Sequence, residues 1–151
     1  MTAVNHALTG TAIGLLVGEP LIALPAALAS HFVCDALPHF GSNLPLQANL
    51  RRNSFRNYLI AEFCLCVSLV IGLAIFRPEH WFLASVCAFL AASPDLLSIN
   101  IYLKVRRGEH WKRNAYSRFA HKIQWFEKPI GAVVEAAWFL AAIAVILPFL
   151  R

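Results

Sequence analysis

The chain is 151 residues long, enough for one domain; 59% of it is hydrophobic, 14% is charged, and the formal net charge is +5. An ordinary soluble domain carries roughly 25% charged residues, and eight acidic and thirteen basic side chains cover a soluble surface of this size poorly. Disorder, coiled coil and collagen are excluded by the same composition, and the mean hydropathy of +0.61 points to a bilayer.

The expected class is therefore all-α: one integral membrane domain over residues 1–151, a polytopic bundle of about five transmembrane or partly spanning helices with a basic interfacial helix. The first forty residues are apolar from Ala7 to Phe40 but interrupted by Gly18-Glu19-Pro20, a turn signal. Two short helices over about 3–17 and 20–37 follow, paired as a tight hairpin. At about 1.5 Å per residue each reaches only ~22–27 Å, so they tilt or dip rather than span fully. Three longer apolar stretches predict spans over about 56–77, 80–104 and 129–150, each near the ~20 residues a bilayer requires. Residues 105–127 are basic and aromatic, with Trp111, Tyr116, Phe119, Trp125 and Phe126. That composition suits an amphipathic helix in the interface or folded against the bundle.

Charge is unevenly placed. The loop 38–57 and the segment 104–128 hold eleven of the thirteen basic residues, so both are expected at the cytoplasmic face. The Arg77-Pro78-Glu79-His80 turn then lies on the other side, with the N-terminus inside and the C-terminus outside. No aromatic-basic platform of the nucleic-acid-binding kind accompanies the basic segment, so nucleic acid is not an expected partner. Cys34, Cys64, Cys66 and Cys87 sit in apolar runs and predict packing rather than a disulfide framework. No basic stretch precedes the first apolar run, so a cleaved signal peptide is not expected.

Four of the eight acids, Asp35, Glu62, Asp95 and Glu135, fall within apolar runs. Each costs roughly 2.5–3.5 kcal/mol at a bilayer centre unless compensated. Counting from Arg56, Lys128, Lys104 and Pro38, all four lie within ~15 Å of the cytoplasmic boundary. His6 enters on the same side, and His31 and His39 flank Asp35. Carboxylates and imidazoles converging at one depth are the donor set of a divalent metal site. In His31-Phe32-Val33-Cys34-Asp35, positions i and i+4 share a helix face, and Pro38 ends the helix so that His39 can fold back. The bland alternatives are a His paired with its own Asp, and Glu62 and Glu135 paired with basic side chains of the interfacial segment. His121 is open to two readings, ligand or acid-base group.

His6 with Gly10, Ser30-His31…Asp35…Pro38-His39, and Ser93-Pro94-Asp95 resemble the bacterial membrane-bound metal-dependent hydrolase family. The His-x-x-x-Asp element is also similar to that of zinc-dependent phospholipases C. The resemblance is good over Val4 to Phe40, modest around Asp95 and weak elsewhere. Tyr116-Ser117-Arg118-Phe119-Ala120-His121 stands only loosely where the family carries a His-Arg…Thr-His element.

The reading that follows is a membrane-embedded metal-dependent hydrolase of the bacterial inner membrane. Its substrate is expected to be a phosphate ester or phospholipid, met at the cytoplasmic leaflet. His6, His31, Asp35, His39 and Asp95 are the expected ligands of a divalent ion such as Zn²⁺. Glu62, His121 and Glu135 are candidates for general base or further ligands. Arg51, Arg52, Arg113 and Arg118 are candidates to receive a phosphate, since guanidinium binds it bidentately. Two rivals stand beside this reading. An ion- or proton-coupled transporter lacks ionisable residues in the outer halves of its helices, and a non-catalytic protein would use the polar cluster structurally. Membrane lipids are the expected partners, and the sequence is silent on oligomeric state.

Overall fold

The computed structural model describes residues 1–112 and 114–151. The described chain is all-α. Its helices are α1 (Ala3–Val17), α2 (Pro20–Ala36), α3 (Leu46–Arg51), α4 (Asn53–Phe76), α5 (Trp81–Ala92), α6 (Ile99–Arg107), α7 (Ala115–Ile123) and α8 (Gly131–Ile146). Short 3₁₀ turns cover Ser93–Ser98 and Leu147–Leu150. Three segments are long and apolar enough to cross a membrane: Asn53–Phe76, Trp81–Arg107 and Gly131–Leu150. Their surfaces are bare of polar cover, with Phe63 68% and Ile75 71% exposed.

The short helix α1 is the centre of the bundle and packs on α2, α4, α5 and α8. Its closest neighbour is α5, and small residues make that approach possible. A β-carbon at Gly10 would overlap the Cys87 carbonyl, and one at Gly14 would overlap the backbone of Ala84. This is a small-xxx-small contact, in which missing side chains let two backbones meet. Around it Leu8 and Leu15 of α1 pack in one core cluster with Leu73 of α4, Ala84 of α5 and Ile146 of α8.

The helix ends follow from local chemistry. Gly18 caps α1 at φ 67°, a left-handed turn open to glycine. Pro20 then starts α2, where its missing N–H costs nothing. A β-carbon at Gly18 would run into the His80 imidazole, so the α1–α2 turn and the α4–α5 turn lie side by side. From that shared end α4 runs 24 residues and α1 only 15, or about 36 Å against about 22 Å. The start of α1 therefore lies inside the bundle, ~14 Å short of the start of α4.

Two expectations change in detail. The span expected as one helix over 80–104 is broken: α5 ends at Ala92, and Pro94, which has no N–H to give the helix, sits in the 3₁₀ turn. The loop 38–57 contains a short helix, α3, docked on α6. Arg51 Nε donates to the Val105 carbonyl at 3.4 Å, and Arg106 Nη1 returns a bond to the Arg51 carbonyl at 2.6 Å. After α2 the chain is clasped to the segment before α8 by three backbone bonds, His39 N to Phe126 O, Lys128 N to His39 O and Gly41 N to Lys128 O, each 3.2 Å.

Candidate metal centre

The broken span, the α2 terminus and the start of α1 converge at one point. His6 from α1, His31 from α2 and Asp95 from the 3₁₀ turn offer donor atoms that all lie within 4.8 Å of one another. This group could hold a metal ion. Both histidines are buried, whereas the Asp95 side chain is 44% exposed. Asp35 ties the two imidazoles together. Its Oδ1 lies 3.1 Å from His6 Nε2, and its Oδ2 lies 3.4 Å from His31 Nε2. The two imidazoles stack with centroids 4.1 Å apart.

The protonation of His31 is constrained by a backbone group. Its Nδ1 lies 2.8 Å from the Ala91 carbonyl oxygen, which only accepts, so Nδ1 carries the hydrogen. In a neutral ring Nε2 then presents its lone pair to Asp35 Oδ2 at 3.4 Å and Asp95 Oδ1 at 3.8 Å. Three lone-pair donors facing one another repel unless a cation or a second proton lies between them. Charging both stacked imidazoles would set two cations against each other. Fixing one imidazole nitrogen on a carbonyl so that the other faces a cation is the usual outer-shell arrangement of a metal-binding histidine. His6 Nδ1 is buried with no hydrogen-bond partner, an unsatisfied polar atom that a ligand would explain.

Asp35 is held from two further directions. Gln124 Nε2 donates to Oδ2 at 2.9 Å, and the Met1 ammonium lies 2.5 Å from Oδ1. Gln124 follows α7, which lies across this end of α2 and the 3₁₀ turn. Tyr116 Oη donates to the Pro94 carbonyl at 2.9 Å, Phe119 meets Phe32 edge-on, and Trp125 Nε1 donates to the Ala36 carbonyl at 2.9 Å. Burial, with Asp95 and Asp35 nearby, pushes the Tyr116 phenol above its ordinary range and keeps it a donor.

The remaining sequence candidates lie elsewhere. Glu62 and Glu135 face the start of α1, where Thr2 provides no side-chain cap. Glu62 Oε2 accepts from Val4 N at 2.9 Å. Glu135 Oε1 accepts from Thr2 N at 3.1 Å and Phe40 N at 3.3 Å. The two carboxylates thus serve as caps supplied by α4 and α8 to a buried helix end whose amides have no water to bind. His39 is buried in the clasp, its Nδ1 bonded to the Leu37 carbonyl at 2.8 Å, and is not a member of the His6, His31 and Asp95 group. His121 is exposed on α7. Arg51 is engaged with α6, Arg118 is exposed on α7, and Arg113 lies outside the described residues.

Arg52 lines an open cleft of about 410 Å³ together with Ser54, Tyr58, Glu135 and Gln124, so the cleft borders the residue that holds Asp35. Sequence reasoning did not find Gln124, the Ala91 carbonyl or the Tyr116 anchor. Gln124 has no periodic signal, and backbone acceptors have no sequence signal. Comparison with protein-family models, curated proteins and solved structures finds no match for this chain.

Proposed function

We propose that the protein is a metal-dependent hydrolase embedded in the bacterial inner membrane, acting on a phosphate ester or phospholipid at the cytoplasmic leaflet. The observation that carries this reading is the orientation of His31, whose Nδ1 is bound to the Ala91 carbonyl while Nε2 faces Asp35 and Asp95. His6, His31 and Asp95 would hold the ion, and two imidazoles with a carboxylate suit Zn²⁺ among the divalent metals. When bound, such an ion supplies a water of lowered pKa and positive charge for a phosphoryl oxygen.

The protein's own groups do the rest. Asp35, held by Gln124 and the Met1 ammonium, orients His6 and His31. Asp95, the exposed member, borders the side from which substrate enters. Arg52, in the cleft that Gln124 also lines, receives the phosphate. Water oxygen bonds to phosphorus as the bond from phosphorus to the leaving oxygen breaks, and the proton that the water gives up ends on that leaving oxygen, which departs as the alcohol. Glu62 and Glu135 are given no chemical step, because Glu62 Oε2 accepts from the α1 start and Glu135 Oε1 from the α1 start and the Phe40 amide.

Metal analysis of the purified full chain tests this reading. One equivalent or more of divalent metal is expected in the wild type, with loss in His31→Ala and Asp95→Ala. Hydrolysis of a phospholipid in mixed micelles should fall with the metal and return on reloading. A wild type that binds no stoichiometric Zn²⁺ after reconstitution sinks the proposal.

A further inference from the structure

The outer face of α7 has no role in the site, and its composition is unusual. Inward, Tyr116, Ala120 and Ile123 are half-buried, with Tyr116 and the following Gln124 anchored to Pro94 and Asp35. Outward, Arg118, His121 and Lys122 are exposed at i, i+3 and i+4 of α7, forming one stripe, and Trp125 is exposed two residues past the helix end. Trp125 is 69% exposed, yet its indole N–H is fixed on the Ala36 carbonyl, so the ring is held in place outside the bundle. Phe119, 50% exposed, is likewise held by its edge contact with Phe32.

A helix facing water has no reason to display a fixed indole and phenyl ring. One facing hydrocarbon would not carry Lys and Arg on the same stripe. The mixture fits the headgroup level of a bilayer, where the ring meets acyl carbons and the cation meets phosphate. The segment also lies at the right height, between the end of one candidate span at Arg107 and the start of another at Gly131. From 104 to 128 the chain carries eight Lys and Arg against two Glu. A zwitterionic surface leaves that excess unmatched, whereas an anionic one complements it.

We propose that the outer stripe of α7 with Phe119 and Trp125, preceded in the chain by Lys112, is a docking surface for the headgroups of anionic membrane lipids. The proposal does not depend on metal binding or hydrolysis. It assigns the basic segment a partner, and it joins that partner to the site wall through Gln124 and Tyr116.

The test reconstitutes the full chain in nanodiscs of phosphatidylcholine alone or mixed with phosphatidylglycerol, and follows amide exchange. Phosphatidylglycerol is expected to slow exchange across residues 115–125 by roughly thirtyfold, as about two lysine contacts would give. Exchange in α5 should be the same in both discs. Lys112→Gln with Lys122→Gln should remove most of the slowing while leaving α5 protection intact, which separates lost docking from lost folding. Equal exchange in the two lipids overturns the proposal, as does a double variant that keeps the full effect. Inorganic phosphate added to phosphatidylcholine discs is the last arm: if it reproduces the slowing, the surface binds a free anion and not a lipid.

Discussion

Two pairs of carboxylates lie within apolar segments of this bundle, and they meet different partners. Asp35 and Asp95 face the imidazoles of His6 and His31. Glu62 and Glu135 face backbone amides at the start of α1. Amide N–H groups satisfy a carboxylate outright, and that second pair closes on itself. In the first pair Asp35 is met by the Met1 ammonium and Gln124, whereas Asp95 faces the lone pair of His31 Nε2, which does not satisfy it and leaves room for a cation. The lesson is that the partner, and not the burial of an acid, decides whether it is structural or chemical.

The comparison breaks most sharply at His31. His31→Ala should strip the ion and lower hydrolysis by more than the ~100-fold that outer-shell changes reach, while metal content in Glu62→Gln stays at the wild-type level. Should Glu62→Gln lose metal as fully as His31→Ala, the two pairs are one site. Next in size is Glu62→Ala, which leaves the Val4 amide buried without an acceptor. A destabilisation of about 1–3 kcal/mol is expected in detergent unfolding, with Glu62→Gln recovering much of it because an amide oxygen still accepts.

Gly14→Ala should cost about 1–3 kcal/mol, because the added methyl meets the Ala84 backbone and pushes α1 off α5. Metal affinity should fall with it, since His6 rides on α1 and His31 is tied to Ala91 of α5. The smallest effect is expected for Gln124→Ala. It removes one donor from Asp35 Oδ2 and should weaken metal affinity by roughly tenfold, read by competition with a chelator, with little change in unfolding.

The all-α class and the three long apolar segments were legible because hydropathy and length are local properties. His31 and Asp35 were legible as a pair because the helical period alone puts i and i+4 on one face. The convergence of His6 and Asp95 on them was readable only as shared depth. Which residues of that level would meet depended on the close approach of α1 and α5, and so on Gly10, Gly14 and Ala84. That spacing of small residues was in the sequence as a signal, and it passed unread. The tasks of Glu62 and Glu135 were hidden for another reason. Their partners are amides of α1, made available by how deep that helix starts, and side-chain identities do not encode that depth. His39 looked like a fold-back ligand because Pro38 ends the helix. The backbone clasp to Phe126 and Lys128 carries it elsewhere.

The wall that the bundle offers to its surroundings is uneven in height. At about 1.5 Å per residue, α2 is roughly 26 Å long where α4 is roughly 36 Å, and α2 begins and α4 ends at neighbouring turns. Leu21, Ile22 and Val33 on α2 are bare. Acyl chains that cover this flank meet the end of the apolar wall sooner than those beside α4. The bilayer must thin or the bundle must lean to match it, at a cost of fractions of a kcal/mol per ångström. Thinning creates a dimple on that side of the molecule and brings lipid phosphates down toward the level of Asp35 without drawing any lipid out of its leaflet.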